Sequence, residues 1–348
     1  MSIYNYGKMK TNRLALLLVV SVCAFSGCKS SSSKKGDKST STPSQKPFPP
    51  AYEDRWDNYE ANYSDYDFKG KVGRQLITEI HNYQIDQHRT YITYGNYWWY
   101  ANTATDLIPG SNPAQNELFY TGKTSPKETH NDQDREHVWA CASSKGLWWR
   151  SSQYEETNIG TKGSNGAQYW GGGSDLYNIR PATSRVNSQR SNASFYDFDD
   201  DDLINQIALS DGGPYKAYID STASAKKVEV DDAFKGDVAR ILLYVYTHYL
   251  KIGEKNVYYS EDYKPVYSIE EAVKLSETHT PDVCGQLTLT DIVAYSNIDE
   301  VNEMLVKWNR IDPPSEVEMN RNNYVESVQG NRNPFVDYPQ LVDKCLLY

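Results

Sequence analysis

The spacing of hydrophobic residues along the chain predicts where its regular elements lie. Ile77, Ile80 and Ile85 recur at roughly helical spacing, which predicts a helix over residues 72–88. Residues 238–250 are apolar on nearly every side, a pattern typical of a helix buried in a core. We therefore expect helices to form the main body of the folded part.

Shorter patterns complete this picture of the fold. Residues 118–121, ahead of Gly122, predict a strand followed by a turn. Ser315 and Glu318 have the spacing of a capping box, which predicts that a last helix starts at Ser315. Helices outnumber strands and do not alternate with them regularly. This favours an α+β class, mainly helical and built as a single domain, over a doubly wound sheet.

The N-terminal residues have the composition of a bacterial export sequence. Lys8, Lys10 and Arg13 precede an apolar run over residues 14–25, which is too short to span a bilayer. Cys28 follows at a position that resembles a lipoprotein processing site, where it would become the lipidated first residue. An ordinary secretory sequence with an incidental cysteine is the alternative. We expect an exported protein, anchored to the cell-surface membrane through lipid on Cys28, or secreted.

The chain is expected to fall into three parts. Residues 1–27 form the lipoprotein signal peptide, residues 28–62 the lipidated cysteine with a flexible Ser/Lys/Pro tether, and residues 63–348 the folded domain. An odd number of cysteines remains outside the leader and the anchor, so they cannot all pair. If there is a disulfide bond, we expect it to join Cys284 to Cys345.

Net charge alone argues against a nucleic-acid partner. The chain carries 36 Lys and Arg residues against 46 Asp and Glu residues, and its formal net charge is −10. Proteins that hold nucleic acid by charge show the opposite balance, because phosphate neutralisation supplies most non-specific affinity. A local basic strip or a divalent cation can override this average. The aromatic residues within 91–100 are either a base-stacking platform or, more commonly, core or the rim of a cleft.

Two segments gather the residue types that phosphodiester hydrolysis requires. Residues 134–139 contain Glu136 next to His137, and residues 175–192 contain Asn187. A neutral imidazole can activate water near neutral pH. A hard cation such as Mg²⁺ neutralises charge on phosphoryl oxygens and takes a few oxygen ligands. Glu136 and the amide oxygen of Asn187 are ligands of that kind.

The second segment also predicts how Asn187 is placed. Pro181 is expected to end a strand, and Thr183 or Ser184 to cap the helix that carries Asn187. Arg190 lies three residues after Asn187 and therefore on the same helical face. Its guanidinium is predicted to bind phosphate and to take part in catalysis.

Further arginines make these two segments locally basic. Arg180 and Arg185 lie in the second segment with Arg190, and Arg135 lies in the first. We predict that Arg135, Arg180 and Arg185 bind substrate. This strip answers part of the objection from net charge.

The two segments resemble the signatures of the endonuclease I family, which belongs to the His-Me finger, or ββα-metal, nucleases. Residues 135–139 match its Arg-Glu-His-Val-Trp sequence. Residues 175–181 are similar to its Asp-Leu-His-(His/Asn)-Leu-x-Pro stretch, and residues 186–192 to its Val-Asn-x-x-Arg-(Ser/Gly)-Asn helix. Two later stretches agree with the family in the same order. They are residues 235–240, and Arg321-Asn322 followed by residues 329–337.

This resemblance implies both a fold and a chemistry. It implies a His-Me finger core in which His137 is the general base and Glu136 and Asn187 coordinate Mg²⁺, or Mn²⁺ or Ca²⁺. Members cut DNA, RNA or both with little sequence preference and leave 5′-phosphate ends. Some relatives place an arginine between the two blocks against the cleaved phosphate, and Arg150 is the only arginine there. We expect the enzyme to be a monomer.

The sequence departs from the family at two positions within these blocks. Ala140 replaces the usual proline, and Tyr177 replaces a common histidine, although a phenol can still donate a hydrogen bond. The alternative to a nuclease is a catalytically inactive surface lipoprotein that only binds nucleic acid or acts as an adhesin. The joint presence of Glu136, His137 and Asn187 favours activity.

Two structural expectations follow for the histidines. Adjacent residues of a regular strand point to opposite faces, so the backbone must twist or end where Glu136 meets His137. The other histidines lack partners at ligand spacing and are expected to be structural or exposed; they are His81, His88, His130, His248 and His279.

Overall fold

The computed structural model describes residues 48–89, 105–127, 132–140, 143, 171–173, 175–199, 202, 206–220, 222, 225–249, 258–259, 265–266 and 287–348. Within these residues, no helix is both long and apolar enough to cross a membrane. Several sequence predictions lie outside the described residues, namely those for the leader, Cys28, the aromatic run 91–100, His130, Arg150, His279 and Cys284.

Helices supply most of the regular structure among the described residues. They are α1 (Tyr59–Tyr63), α2 (Gly73–Gln87), α3 (Ser184–Arg190), α4 (Asp232–Tyr249), α5 (Ile298–Ile311), α6 (Glu316–Gln329), α7 (Pro334–Asp337) and α8 (Gln340–Leu346). Helix α1 belongs to the packed core, because Tyr59 and Tyr63 are both buried.

Cys345, near the end of α8, is a buried free thiol, so the disulfide bond considered for it is not formed.

The strands form small separate sheets. They are β1 (Gln115–Leu118), β2 (Lys123–Pro126), β3 (Gln133–His137), β4 (Ile179–Thr183), β5 (Ser194–Phe195), β6 (Ile207–Leu209), β7 (Ala217–Asp220), β8 (Lys227–Glu229), β9 (Tyr258–Tyr259) and β10 (Pro265–Val266). The pairs β1–β2, β3–β4 and β9–β10 are antiparallel, and a four-stranded sheet has the order β5-β8-β7-β6. Only the β5–β8 pair of that sheet is parallel. The predicted α+β class is confirmed.

The two helices predicted from apolar spacing are present as α2 and α4. The observed α2 agrees with the prediction to one residue at each end. The observed α4 starts earlier than predicted, because its first turns carry buried polar residues that interrupt the apolar pattern. It is buried along most of its length and packs against α2 and α5. The same core includes Val138, Leu176 and Val186, so it continues beneath the two segments that resemble the family signatures.

The capping prediction for α6 is confirmed, but α6 is not the last helix. The Ser315 hydroxyl accepts a hydrogen bond from the Glu318 backbone N–H at 3.1 Å. Two short helices follow, and the Asn333 side chain caps the first of them. The inward face of α6 is largely polar, with Glu318, Arg321, Asn322 and Gln329 buried beside Val325. These side chains contact backbone groups and charges of neighbouring segments, which hydrophobic spacing cannot reveal.

Two strand predictions require correction. Residues 119–122 form the turn between β1 and β2, and Gly122 adopts a positive φ of 61° there, so the strand lies upstream of its predicted place. Pro181 does not end a strand but lies in the middle of β4, opposite Arg135. Proline lacks only the N–H donor, and its carbonyl oxygen still accepts a hydrogen bond from Phe119 at 2.7 Å.

The stretch 235–240 at the start of α4 has a structural role. Lys235 binds Glu229 at 2.6 Å, and Arg240 binds Glu318 through two hydrogen bonds of 2.8 and 2.6 Å. A Cβ atom at Gly236 would lie 1.9 Å from the carbonyl oxygen of Asp312, so only glycine permits this close approach. Charges and a glycine therefore join α4 to its neighbours.

We expect Arg240→Met to lower the free energy of unfolding by about 3–5 kcal/mol, because Glu318 would keep a buried charge without its guanidinium partner. Urea denaturation followed by circular dichroism measures this loss. Arg55→Met is the matched control, since Arg55 and Glu53 form an exposed pair, and we expect no measurable change there. Equal stability of the two variants would contradict the structural role of Arg240.

Candidate active site

The two segments singled out from the sequence meet in one unit of two strands and a helix. Strands β3 and β4 pair with Glu136 opposite Arg180 and His137 opposite Ile179. Helix α3 follows β4 directly, and the Thr183 hydroxyl caps it by accepting a hydrogen bond from Val186 N–H. The predicted cap is therefore confirmed. Strand β3 ends at His137, which resolves the difficulty of having Glu136 and His137 adjacent.

Glu136 is buried, and only one of its carboxylate oxygens is engaged by described hydrogen bonds. The Tyr120 hydroxyl donates to Oε1 at 2.7 Å, and Nη1 of Arg190 donates to the same atom at 2.9 Å. None of the described hydrogen bonds uses Oε2. Burial raises the pKa of Glu136, while Arg190 and Tyr120 oppose this effect. The carboxylate is thus fixed at one oxygen while the other is available to a ligand.

Arg190 lies on the predicted face of α3 but differs from its predicted role. It is buried, and besides Glu136 it donates to the carbonyl oxygens of His137 at 3.0 Å and Val138 at 2.8 Å. Its guanidinium also lies 4.9 Å from the ring centroid of Phe195. These partners occupy the group that was expected to bind phosphate. Arg190 instead holds the end of β3 in place.

Arg180 requires a similar correction. Only 1% of its surface is exposed, and its Nε donates to Asp106 at 2.6 Å while Nη1 donates to Asp237 at 3.1 Å. A guanidinium in this interior ion-pair cluster does not reach a substrate phosphate. The two other predicted substrate arginines are more accessible, since Arg135 is half-buried and Arg185 is exposed on α3.

The imidazole of His137 is oriented by a backbone carbonyl group. Its Nε2 lies 2.8 Å from the carbonyl oxygen of Gly173. A carbonyl oxygen can only accept, so Nε2 carries the hydrogen and Nδ1 is the basic nitrogen of the neutral ring. Desolvation, opposed by the Gly173 hydrogen bond and assisted by the charges of Arg135 and Arg190, lowers the pKa of His137 to about 4. The ring is therefore neutral near pH 7.

Asn178 links the backbone next to Gly173, whose carbonyl group binds His137, to the backbone that follows β3. Its Oδ1 accepts a hydrogen bond from Trp139 N–H at 2.8 Å, and its Nδ2 donates to the carbonyl oxygen of Gly172 at 2.8 Å. The backbone beside Gly173 is thereby tied to the backbone that follows His137. Asn178 was not selected from the sequence as a site residue, although it lies within a block that matches the family.

The side-chain amide of Asn187 is oriented by a neighbour on β3. Its Nδ2 donates to Oδ2 of Asp134 at 3.3 Å. Because a carboxylate only accepts, the amide nitrogen faces Asp134 and the amide oxygen points elsewhere. Asp134 and Glu136 are two residues apart on β3 and so lie on the same face. The Asn187 oxygen and Oε2 of Glu136 are ligands of the type that Mg²⁺ prefers, and the donor set fits such an ion.

Tyr177, which replaces a histidine common in the family, belongs to the core. Its hydroxyl donates to Oδ1 of Asn322 at 2.6 Å, and its ring packs against Tyr244 with centroids 4.4 Å apart. The expected hydrogen bond is present. It joins this segment to α6 rather than entering the site.

A second group of polar side chains, which sequence reasoning missed, lies in the interior. His88, Asp175 and His248 are buried and place one potential ligand atom each within 4.8 Å of the others. They are far apart in the sequence, so no local spacing could have revealed them. This group shares no residue with the candidate site at Glu136, His137 and Asn187.

Comparison with known proteins identifies the family of the chain. The family model described as Endonuclease I matches residues 64–340. The extracellular ribonuclease of Bacillus amyloliquefaciens is 30% identical over 280 residues, which cover 79% of this chain and 75% of that protein. The extracellular ribonuclease of Bacillus subtilis (strain 168) is 30% identical over 294 residues, which cover 82% and 80%. The chain is therefore a nuclease and belongs to the endonuclease I family.

Proposed function

We propose that the protein is an exported, metal-dependent endonuclease with a His-Me finger core made of β3, β4 and α3. It hydrolyses phosphodiester bonds in DNA, RNA or both with little sequence specificity and leaves 5′-phosphate ends. The observation that supports this most directly is the end of β3, where a neutral imidazole with a basic Nδ1 follows a buried carboxylate with one oxygen available.

In this mechanism His137 is the general base. Its Nδ1 takes a proton from the attacking water, while its Nε2–H stays on the carbonyl oxygen of Gly173. That hydrogen bond keeps the ring in one orientation and one tautomer, and it stabilises the imidazolium as it forms. Asn178 holds the carbonyl group in position through Gly172. The base is thus oriented before substrate arrives.

Glu136 and Asn187 would hold the divalent cation, with Mg²⁺ proposed and Mn²⁺ or Ca²⁺ as substitutes. When bound, the ion neutralises charge on the phosphoryl oxygens and stabilises the departing 3′ oxygen. Tyr120 and Arg190 fix Oε1 of Glu136 and so orient Oε2. Asp134 does the same for the amide of Asn187. Both ligands are therefore held by neighbouring residues of the chain, as metal ligands generally are.

Substrate binding is proposed to rest on contacts with phosphate. Of the three arginines predicted to bind substrate, Arg135 and Arg185 are the accessible ones, and the charge of Arg135 already acts on His137. Arg150 is proposed to contact the cleaved phosphate, as the family resemblance implies. Phosphate contacts carry no sequence information, which accords with low specificity. Both Bacillus relatives are named ribonucleases, so RNA is included in the proposed substrates.

The proposed location is the cell surface. The two relatives are named extracellular, which supports export. Lipidation at Cys28, followed by a flexible tether and a monomeric nuclease domain, completes the proposal. The domain includes all of α1, so it starts before residue 63. The membrane would be contacted only through the lipid.

His137→Ala in the full-length chain should lower the rate of cleavage of plasmid DNA and of RNA by at least about 100-fold, because water loses its general base. Gel assays with Mg²⁺, with and without EDTA, measure the rate, and circular dichroism checks the fold. EDTA should abolish the wild-type activity. A variant within tenfold of wild type would assign the base elsewhere, and an inert wild type on both nucleic acids would favour the binding-only alternative.

Asn187→Ala should raise the Mg²⁺ concentration for half-maximal cleavage by at least about tenfold, because one oxygen ligand is lost. Gln189→Ala is the matched control, since Gln189 is an exposed amide on the same helix. Titration of activity with Mg²⁺ gives both values. Identical Mg²⁺ curves for wild type and Asn187→Ala would remove Asn187 from the metal site.

Cys28→Ser should release the protein from the membrane fraction, because the acyl chains would have no attachment point. Cys23→Ser, within the leader, is the matched control and should leave the anchoring unchanged. Fractionation of the producing cells, followed by immunoblotting, measures the distribution. Continued membrane association of Cys28→Ser would exclude lipidation at this residue.

A further inference from the structure

Three elements that are distant in sequence bring ligand-type side chains together in the protein interior. His88 follows the last residue of α2, His248 lies in the last turn of α4, and Asp175 follows the short 3₁₀ turn at Gly171–Gly173. Nδ1 of His88 and Nε2 of His248 are 2.9 Å apart. The two rings are stacked with an interplanar angle of 24°. Two ring nitrogens thus face each other beside a carboxylate.

The carboxylate of Asp175 carries a charge that no described cation balances. Only 1% of the residue is exposed, and none of the ion pairs among the described residues includes it. Its oxygens accept four hydrogen bonds from neutral donors, which are Tyr177 N–H, Gln329 Nε2, Tyr244 OH and Tyr249 OH. These donors fix the position of the carboxylate. A buried carboxylate normally has a counter-charge or a metal ion beside it.

The imidazoles supply the other features of a metal site. Both imidazoles are fully buried, and an imidazole binds a metal ion through a ring nitrogen that carries no proton. Two nitrogens on a tetrahedral ion with bonds of about 2.0–2.1 Å are roughly 3.3 Å apart, so the pair would open by only a few tenths of an ångström.

We propose that His88, Asp175 and His248 form a second, interior metal site that takes a transition-metal ion, with Zn²⁺ as the preferred occupant. Two imidazoles and one carboxylate suit Zn²⁺ and its neighbours in the series, whereas Mg²⁺ prefers oxygen ligands. The tyrosine hydroxyls on Asp175 are the outer contacts that ligating carboxylates usually have. Burial on all sides makes the site structural rather than catalytic.

Such an ion would join α2, α4 and the segment that supports the general base. Asp175 is two residues from Gly173, whose carbonyl oxygen binds His137, and three residues from Asn178. Gln329 extends the connection to α6, because its side chain contacts both Asp175 and Leu176 N–H. The main effect of losing the ion would therefore be a lower free energy of unfolding. A smaller effect would be weaker support of His137.

The direct test is the metal content of the purified full-length chain after dialysis against metal-free buffer. Inductively coupled plasma mass spectrometry should find about one zinc per wild-type chain and much less than that in His88→Gln and His248→Gln, because each variant lacks one imidazole ligand. His81→Gln is the matched control, since His81 is a buried histidine on α2 whose Nδ1 contacts the carbonyl oxygen of Thr247. Asn187→Ala is a second control, which tests whether the zinc is bound at the proposed catalytic metal site instead. Both controls should retain zinc.

A second measurement does not depend on whether these variants fold. Wild-type chain stripped of metal should show a higher melting temperature on addition of one equivalent of Zn²⁺, and Co²⁺ should give the visible absorption of a tetrahedral histidine site that excess Mg²⁺ does not remove. Wild-type protein that holds no zinc and shows neither response would overturn the proposal. Zinc retained equally by the two glutamine variants would overturn it as well. A nuclease that stays active without zinc would leave the proposed function intact.

Discussion

The buried guanidinium of Arg190 is the contact on which the arrangement of the site depends. It binds the carboxylate of Glu136 and the carbonyl oxygens of the next two residues, His137 at the end of β3 and Val138 just after it. One side chain thus fixes both a proposed metal ligand and the end of the strand. The end of β3 in turn sets the position of the imidazole of His137. Removing a single partner from such a buried charged cluster is costly, because the remaining charge keeps its desolvation penalty. Glu136 and Arg190 therefore support each other as well as the site.

Buried polar contacts, and not apolar packing alone, also hold the surroundings of the site. Arg180 joins β4 to Asp106 and to Asp237 at the start of α4. Arg321 on α6 donates to the carbonyl oxygen of Ile179 at 2.7 Å and also to that of Leu176. Buried backbone carbonyl groups of this irregular segment thereby find donors, as buried polar groups must. Many polar residues of the blocks that resemble the family therefore have a structural role, which is to support the backbone of residues 176–180.

Sequence patterns predicted the elements whose stability comes from apolar faces and caps. The helices α2 and α4, the cap at Thr183 and the cap at Ser315 follow from local spacing, and local spacing was sufficient. The pairing of β3 with β4 and their proximity to α3 were implied by family resemblance and not by any local pattern. The roles of Arg180 and Arg190 were not foreseen, because an arginine's sequence position does not tell whether it faces phosphate or an interior carboxylate. His88 and His248 could not be paired either, since only the packing of α2 against α4 brings them together.

The most direct test of the site is a crystal structure of the full-length chain with Mg²⁺ and a cleavage-resistant phosphorothioate oligonucleotide. We predict that Oε2 of Glu136 and the amide oxygen of Asn187 bind one ion at about 2.0–2.1 Å. We also predict that Nδ1 of His137 faces the phosphorus, while Nε2 remains on the carbonyl oxygen of Gly173. An ion held by other residues at the cleaved phosphate, or an imidazole turned away from the phosphate, would contradict the account.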